Sequence, residues 1–181
     1  MARARLALAA AAVVLLAGCG GGEKASAPLP SATASVKLTS PAFADGGTLP
    51  TRFTCSGKGV SPPLAWSGIP AGARELALVV EDPDAGRFVH WTVLKISPST
   101  HGIDEGGVPA GAVQTTNSFG DHGWGAACPP KGAGPHRYVF ALYALRAPLG
   151  LDAGASPDDV RAAIAKQAIA RGELTARFGR P

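Results

Sequence analysis

The chain has no apolar run of the roughly 20 residues that a membrane-spanning helix needs. The longest, Leu6 to Ala17, is a short stretch behind a basic start, Met1-Ala2-Arg3-Ala4-Arg5. Aromatic residues are 6% of the 181, and beyond residue 18 lysine and arginine form no cluster, so the basic, aromatic-studded face of a nucleic-acid binder is missing. Its four histidines, His90, His101, His122 and His136, show none of the short metal-ligand spacings, and its three cysteines stand far apart. Neither a metal nor a cofactor is therefore expected. A Gly-x-Ser-x-Gly nucleophile elbow is also absent. A hydrolase built on Asp82 and His90 would have to borrow Ser56, Ser61 or Ser118, none in a signature context, which leaves catalysis a remote alternative to binding without turnover.

What is present begins with an export signal. Leu16-Ala17-Gly18-Cys19 resembles a bacterial lipobox, in which the cysteine is lipidated and becomes the first residue after cleavage. Residues 1–18 are read as the lipoprotein signal peptide. Their removal takes away Arg3 and Arg5 and no acid, lowering the formal net charge from +4 to +2. Residues 19–35, small, polar and broken by Pro28 and Pro30, read as a flexible tether from lipidated (palmitate-bearing) Cys19 to a domain over 36–181. The expected location is the extracytoplasmic face of the bacterial membrane. Cys55 and Cys128 remain as a pair in an oxidising compartment, which is compatible with a disulfide or with two buried thiols.

Within the domain, Val36–Ser40, Thr51–Cys55, Leu64–Trp66 and Glu75–Val80 read as strands separated by turns, so the first half is β. Glu81-Asp82-Pro83-Asp84-Ala85-Gly86 makes a tight turn into a strand carrying Phe88, His90, Thr92 and Leu94 on one face by period-two alternation. His136 to Leu145 is the clearest strand, with His136, Tyr138, Phe140 and Leu142 on one side. Residues 97–135 form a long Gly- and Pro-rich connection with one short strand at Ala112–Thr115, ending in Pro129-Pro130; it is either a rigid wall or a surface loop. Ser156-Pro157-Asp158-Asp159 opens the one convincing helix, expected to reach Arg171 and stop at Gly172. If the strands of His90 and His136 are neighbours, Asp82, His90, His136 and Tyr138 form a small polar pocket in an apolar wall. Taken singly, Asp82 could instead cap its turn, and His136 could be an ordinary edge residue.

Four segments together resemble the phosphatidylethanolamine-binding proteins, in their bacterial Raf kinase inhibitor-like branch. They are Asp82-Pro83-Asp84-Ala85, Val89-His90-Trp91, Cys128-Pro129-Pro130-Lys131-Gly132-Ala133-Gly134-Pro135-His136-Arg137-Tyr138-Val139-Phe140, and the stretch from Phe53 to Trp66. The resemblance implies a mostly β fold, a Greek-key β-sandwich with one C-terminal helix and few other short helices. It implies a pocket for a small anionic or phosphate-bearing ligand, of the phospholipid-headgroup kind, lined by Asp82, His90, Pro130, His136 and Tyr138. Asp84, Trp91 and Pro129 would support it, often with a cis peptide near Asp84, and no catalytic activity is generally assigned. The alternative function is inhibition of a serine protease through a surface loop. Two departures from the family pattern, Gly86 and Trp124, put the pocket rim in question.

Overall fold

Strands buried on both faces read as continuous apolar runs, and two such runs form the centre of this protein. The computed structural model describes residues 27–181; the signal segment and Cys19 lie outside them. In chain order the strands are β1 (Ala34–Ser35), β2 (Lys37–Thr39), β3 (Gly47–Thr48), β4 (Leu64–Ser67), β5 (Glu75–Asp82), β6 (Phe88–Ile96), β7 (Gly102–Ile103), β8 (Val113–Gln114), β9 (His136–Leu145) and β10 (Ala168–Phe178). The helix α1 (Pro157–Gln167) precedes β10. Seven strands make one sheet in the order β1-β10-β9-β5-β6-β8, with β3 also on β10; β2, β4 and β7 make a second, smaller sheet.

The small sheet covers one face of the large one. Leu38, Leu64, Trp66 and Ile103 join Leu78, Val80, Trp91, Phe140 and Leu174 in the main core. On the opposite face, Val160 and Ile164 of α1 pack over Ala77, Val79, Ala141 and Tyr143. Every residue of β5 is buried, which explains the unbroken apolar run Leu76 to Val80 at its centre. The result is the expected mostly β sandwich with one helix, plus 3₁₀ turns at Thr51–Phe53 and Pro83–Ala85.

Three boundaries differ from expectation. Where a strand was expected over Thr51–Cys55, Thr51–Phe53 is a 3₁₀ turn, begun by Pro50 at φ −57° and anchored by buried Phe53, with only Thr54 bridging to Ala127. The helix starts as predicted, with Ser156 and Asp159 in a reciprocal capping box, but ends at Gln167. Residues from Ala168 onward instead join the ladder offered by β9, antiparallel from Ala168↔Leu145 to Phe178↔His136. Gly172 is no helix stop; a Cβ there would lie 2.5 Å from the Val36 carbonyl, so the site demands glycine for close chain passage. The ordered domain also starts before residue 36. Leu29 packs on the helix-side core, the Tyr143 hydroxyl donates to the Pro30 carbonyl at 2.9 Å, and β1 pairs with Ala170 and Arg171. A tether reaching to residue 35 is thus too long by at least six residues.

Candidate functional site

β5 lies between β6 and β9, so its last residue, Asp82, is flanked by the start of each neighbour. The strands of His90 and His136, whose adjacency was the condition set for the pocket, are therefore not direct neighbours; both pair with the strand that carries the acid. A cavity of about 180 Å³ opens at this end of the sheet, lined by Asp82, Ala85, Phe88, His90, Phe119, Cys128, Pro129, Pro130, His136 and Tyr138. All five residues expected to bind ligand line it, together with Pro129.

Asp82 does two things at once. Its Oδ1 accepts the backbone N–H groups of Asp84 and Ala85 at 2.9 and 3.1 Å, capping the 3₁₀ turn. Its Oδ2 stands 2.7 Å from His136 Nδ1. The cap and pocket roles weighed as alternatives coexist on one carboxylate that is 2% exposed. The imidazole it holds is that of His136, not the His90 that the hydrolase alternative required. Asp84 closes the turn from outside: it accepts Arg137 N–H at 2.8 Å and the Arg137 guanidinium at 2.6 Å, an ion pair that pulls its pKa down to about 2. Gly86, at φ +67°, ends the turn in the left-handed region that glycine adopts without strain, and does not line the cavity. The described residues contain no cis peptide bond, unlike the family tendency near Asp84.

His90 is aimed by a β-bulge. Val80 pairs with Trp91 and Glu81 with Val89, leaving His90 as the extra residue on β6. Counting by twos puts His90 with Thr92 and Leu94. Beyond the bulge, however, Trp91 and Val93 face the main core and Leu94 the helix-side core. Trp91 accordingly does not line the cavity. It donates its indole N–H to Gln114 Oε1 at 2.7 Å and packs against Trp124 at 6.0 Å between centroids. Trp124 is likewise behind the cavity and not on its rim, its N–H bound to the Phe53 carbonyl and its ring stacked on Phe140.

His90 Nδ1 donates to the Gly125 carbonyl at 2.7 Å, since a carbonyl can only accept. Burial lowers its pKa, against smaller opposing effects of that bond and of Asp82. Tyr138 sits edge-on to His90 at 5.1 Å, and its buried hydroxyl has no hydrogen-bond partner among the described residues. Burial pushes its pKa well up, so it stays a protonated donor. Cys55 and Cys128 are joined by a disulfide with Cα atoms 5.3 Å apart. It links the wall segment 128–130 to the 3₁₀ turn, and Arg180 Nε adds a bond to the Pro129 carbonyl at 2.8 Å.

Sequence reasoning missed Ala85, Phe119, the Gly125 carbonyl and Arg180. Phe88 had been placed on the His90 face and does stand in the wall, against Phe119 at 4.6 Å. Phe119 is half exposed at the mouth, and buried Asn117 shapes its loop by accepting the N–H groups of Phe119 and Asp121. A run such as Asn117-Ser118-Phe119-Gly120-Asp121 signals a turn but not what the turn faces. Of the serines weighed as nucleophiles none lines the cavity, and the Ser118 hydroxyl is bound to the Val89 N–H. No group of three metal-binding side chains occurs among the described residues.

The family model described as "Phosphatidylethanolamine-binding protein" matches residues 39–179. A Mycobacterium tuberculosis protein named "Putative lipoprotein LppC" is 43% identical over 98% of this chain and 94% of its own. A UPF0098 protein of Methanothermobacter thermautotrophicus is 41% identical over 80% of this chain and 99% of its own. The crystal structure of Escherichia coli YbcL, described as a member of the mammalian PEBP family, superposes with TM-score 0.77 at 34% identity, covering 82% of this chain and all of that one. By sequence and by fold, this chain belongs to the phosphatidylethanolamine-binding protein family.

Proposed function

We propose that this protein is an exported lipoprotein that binds a small anionic or phosphate-bearing ligand in the cavity beside Asp82, without turning it over. The observation that carries the reading is Tyr138, which lines a cavity that also holds two imidazoles and whose buried hydroxyl has no partner among the described residues. A buried polar group left unpaired costs about 1–3 kcal/mol, a cost that a bound oxyanion removes by accepting the O–H. His136, oriented by Asp82, offers its Nε2 to the same space, and Pro129 and Pro130 exclude water from one side. The lining, in which no serine or threonine hydroxyl stands against an imidazole, supports binding without chemistry.

The segment ending in Leu16-Ala17-Gly18-Cys19 and the similarity to a mycobacterial protein named as a lipoprotein support attachment through Cys19 to the outer face of the membrane. The short stretch between Cys19 and the packed Leu29 then keeps the domain close to that surface. Mass spectrometry of membrane-extracted protein reads out the lipid directly, and a Cys19→Ala form that still partitions with membranes counts against it.

Calorimetric titration of the purified protein with inorganic phosphate and with phosphoethanolamine tests the pocket. Saturable binding that falls about tenfold in Tyr138→Phe is expected, one hydrogen bond to a charged group being worth about 1.5–3 kcal/mol. Unchanged binding in a folded His90→Ala, Asp82→Ala double variant would sink the reading.

A further inference from the structure

We propose that the end of the sandwich opposite the cavity docks on an anionic membrane surface, with Arg74, Arg146 and Lys166 against the lipid, so that the cavity opens away from the bilayer. This rests on the reading of Cys19 as a membrane anchor and adds to it the orientation of the domain.

Strand pairing sets the three cations side by side. Glu75, Leu145 and Ala168 are partners across β5, β9 and β10. One step beyond them, Arg74 N–H donates to the Leu145 carbonyl at 2.7 Å and Arg146 N–H to the Gln167 carbonyl at 2.9 Å. Lys166 stands in the last turn of α1, just before β10. All three are exposed, and none is in an ion pair among the described residues. Two acids at this end are already engaged: Glu75 is buried, and Asp152 lies 3.1 Å from Lys95. Half-buried Ile69 and Ile169 belong to the same end, where the loop of Ile69 meets the Ile169 side chain at Gly72. Exposed cations beside apolar side chains suit an anionic bilayer, near which each lysine or arginine is worth about fivefold in partitioning.

Charge alone does not choose this end. Near the cavity, Lys58, Lys131 and Arg177 are also exposed and outside every ion pair among the described residues. The point of chain entry decides. Leu29 packs on the helix-side core together with Leu149, Leu151 and Ala168, and the Tyr143 hydroxyl holds the Pro30 carbonyl, so the chain enters the domain near the three cations. Tyr143 stands seven residues from His136 along β9, about 24 Å at the rise of an extended strand. Eight residues lead from Cys19 to Ala27, a length to which random-coil statistics give a root-mean-square reach of about 16 Å. The anchored domain therefore turns its entry end to the lipid and holds the cavity, with Phe119 at its mouth, on the far side. Ligand reaches that cavity from the surrounding solution and not from the anchoring bilayer.

The test is sedimentation of the full chain, carrying Cys19→Ser to remove the lipid, with vesicles of phosphatidylcholine mixed with phosphatidylglycerol. Residues 1–18 are common to every chain compared, so their own binding cancels. Replacing the docking cations together, as Arg74→Gln, Arg146→Gln and Lys166→Gln, is expected to weaken binding by about tenfold or more at about 0.1 M salt. The matched triple at the cavity end, Lys58→Gln, Lys131→Gln and Arg177→Gln, removes the same charge and should weaken it by less than about twofold. On vesicles of phosphatidylcholine alone, or near 1 M salt where the Debye length is about 3 Å, the two triples should bind alike. Equal binding by the parent and the first triple overturns the docking face. So does an equal or larger loss in the second triple, because the attraction then follows net charge or draws the cavity end to the lipid. Both outcomes leave the anchor intact, whereas a mass spectrum showing no lipid on Cys19 overturns the anchor and leaves the vesicle comparison standing.

Discussion

Glu81 and Asp82 are adjacent in sequence, both buried, and point to opposite faces of the same strand end. On the helix side, Glu81 Oε2 meets Arg161 at 3.0 Å and Oε1 meets Arg87 at 3.4 Å. Arg161 also reaches Asp158 and the Arg87 carbonyl, which holds that residue at φ +65°. Among the described residues only Arg161 Nε stays unpaired in that cluster. On the pocket side Asp82 is equally well paired, but its neighbours are not: Tyr138 O–H and one nitrogen of each imidazole have no partner among the described residues. Buried charge alone therefore does not mark a site in this protein. The pocket side differs in having unspent hydrogen-bonding capacity beside a cavity, while the closed cluster reads as an anchor for α1 and the turn.

The largest effect expected concerns how the pocket face is held. Reducing the Cys55–Cys128 bond, which spans 73 residues, should cost about 4 kcal/mol by the loop-entropy estimate. Urea unfolding with and without reductant measures it. A loss below about 1 kcal/mol would mean that the wall segment is fixed by Arg180 and packing instead. On the helix face, Arg161→Met leaves Glu81 with a partly exposed arginine alone, an expected loss of about 3 kcal/mol. Phosphate affinity should not change in that variant. If it falls with stability, the two faces are coupled through the Arg87 carbonyl and the contrast between anchor and site fails.

The strands, the helix cap and the five cavity residues were legible because each depends on local pattern or on spaced motifs. What was not legible depends on pairing. The bulge at His90 has no local signature, since the extra residue is defined only against β5, and it reversed the faces of Trp91 and Leu94. The partner of Asp82 depended on strand order: with β5 central, His136 reaches the acid while His90 turns to a carbonyl. Gly125 contributes a backbone oxygen, which any residue could supply. Gly172 looked like a helix stop because close chain passage and a left-handed cap ask for the same residue. Likewise Leu29 to Ser35 resembled tether, as their packing partners, Tyr143 and β10, lie more than a hundred residues away.

A smaller effect separates site from anchor by sign. Tyr138→Phe removes a hydroxyl with no protein partner, so the variant should be as stable as the parent or up to about 1 kcal/mol more stable in the absence of ligand. Its phosphate affinity should nevertheless fall. Loss of stability in urea titrations would mean that the hydroxyl is satisfied within the protein, and the cavity would lose its clearest donor.

The smallest effect is a pH slope. Burial lowers the pKa of His90 in the folded protein, while the unfolded chain titrates near 6.5. As pH falls through 6.5 the unfolded state takes up a proton that the folded ring resists, so stability present above that pH is lost below it. The slope from one site cannot exceed about 1.4 kcal/mol per pH unit. Glu75, pushed up by burial, acts in the opposite sense. Asp84, held near 2 by Arg137, contributes stability above about 3.8 that is lost only as pH falls toward 2. Subtracting the stability of His90→Phe from that of the parent between pH 8 and 5 isolates the histidine, because the unpaired Gly125 carbonyl left by the substitution adds an offset that does not titrate. A difference that shrinks as pH falls below 6.5 is expected. A flat difference would mean that His90 takes up its proton in the folded protein as readily as in the unfolded chain.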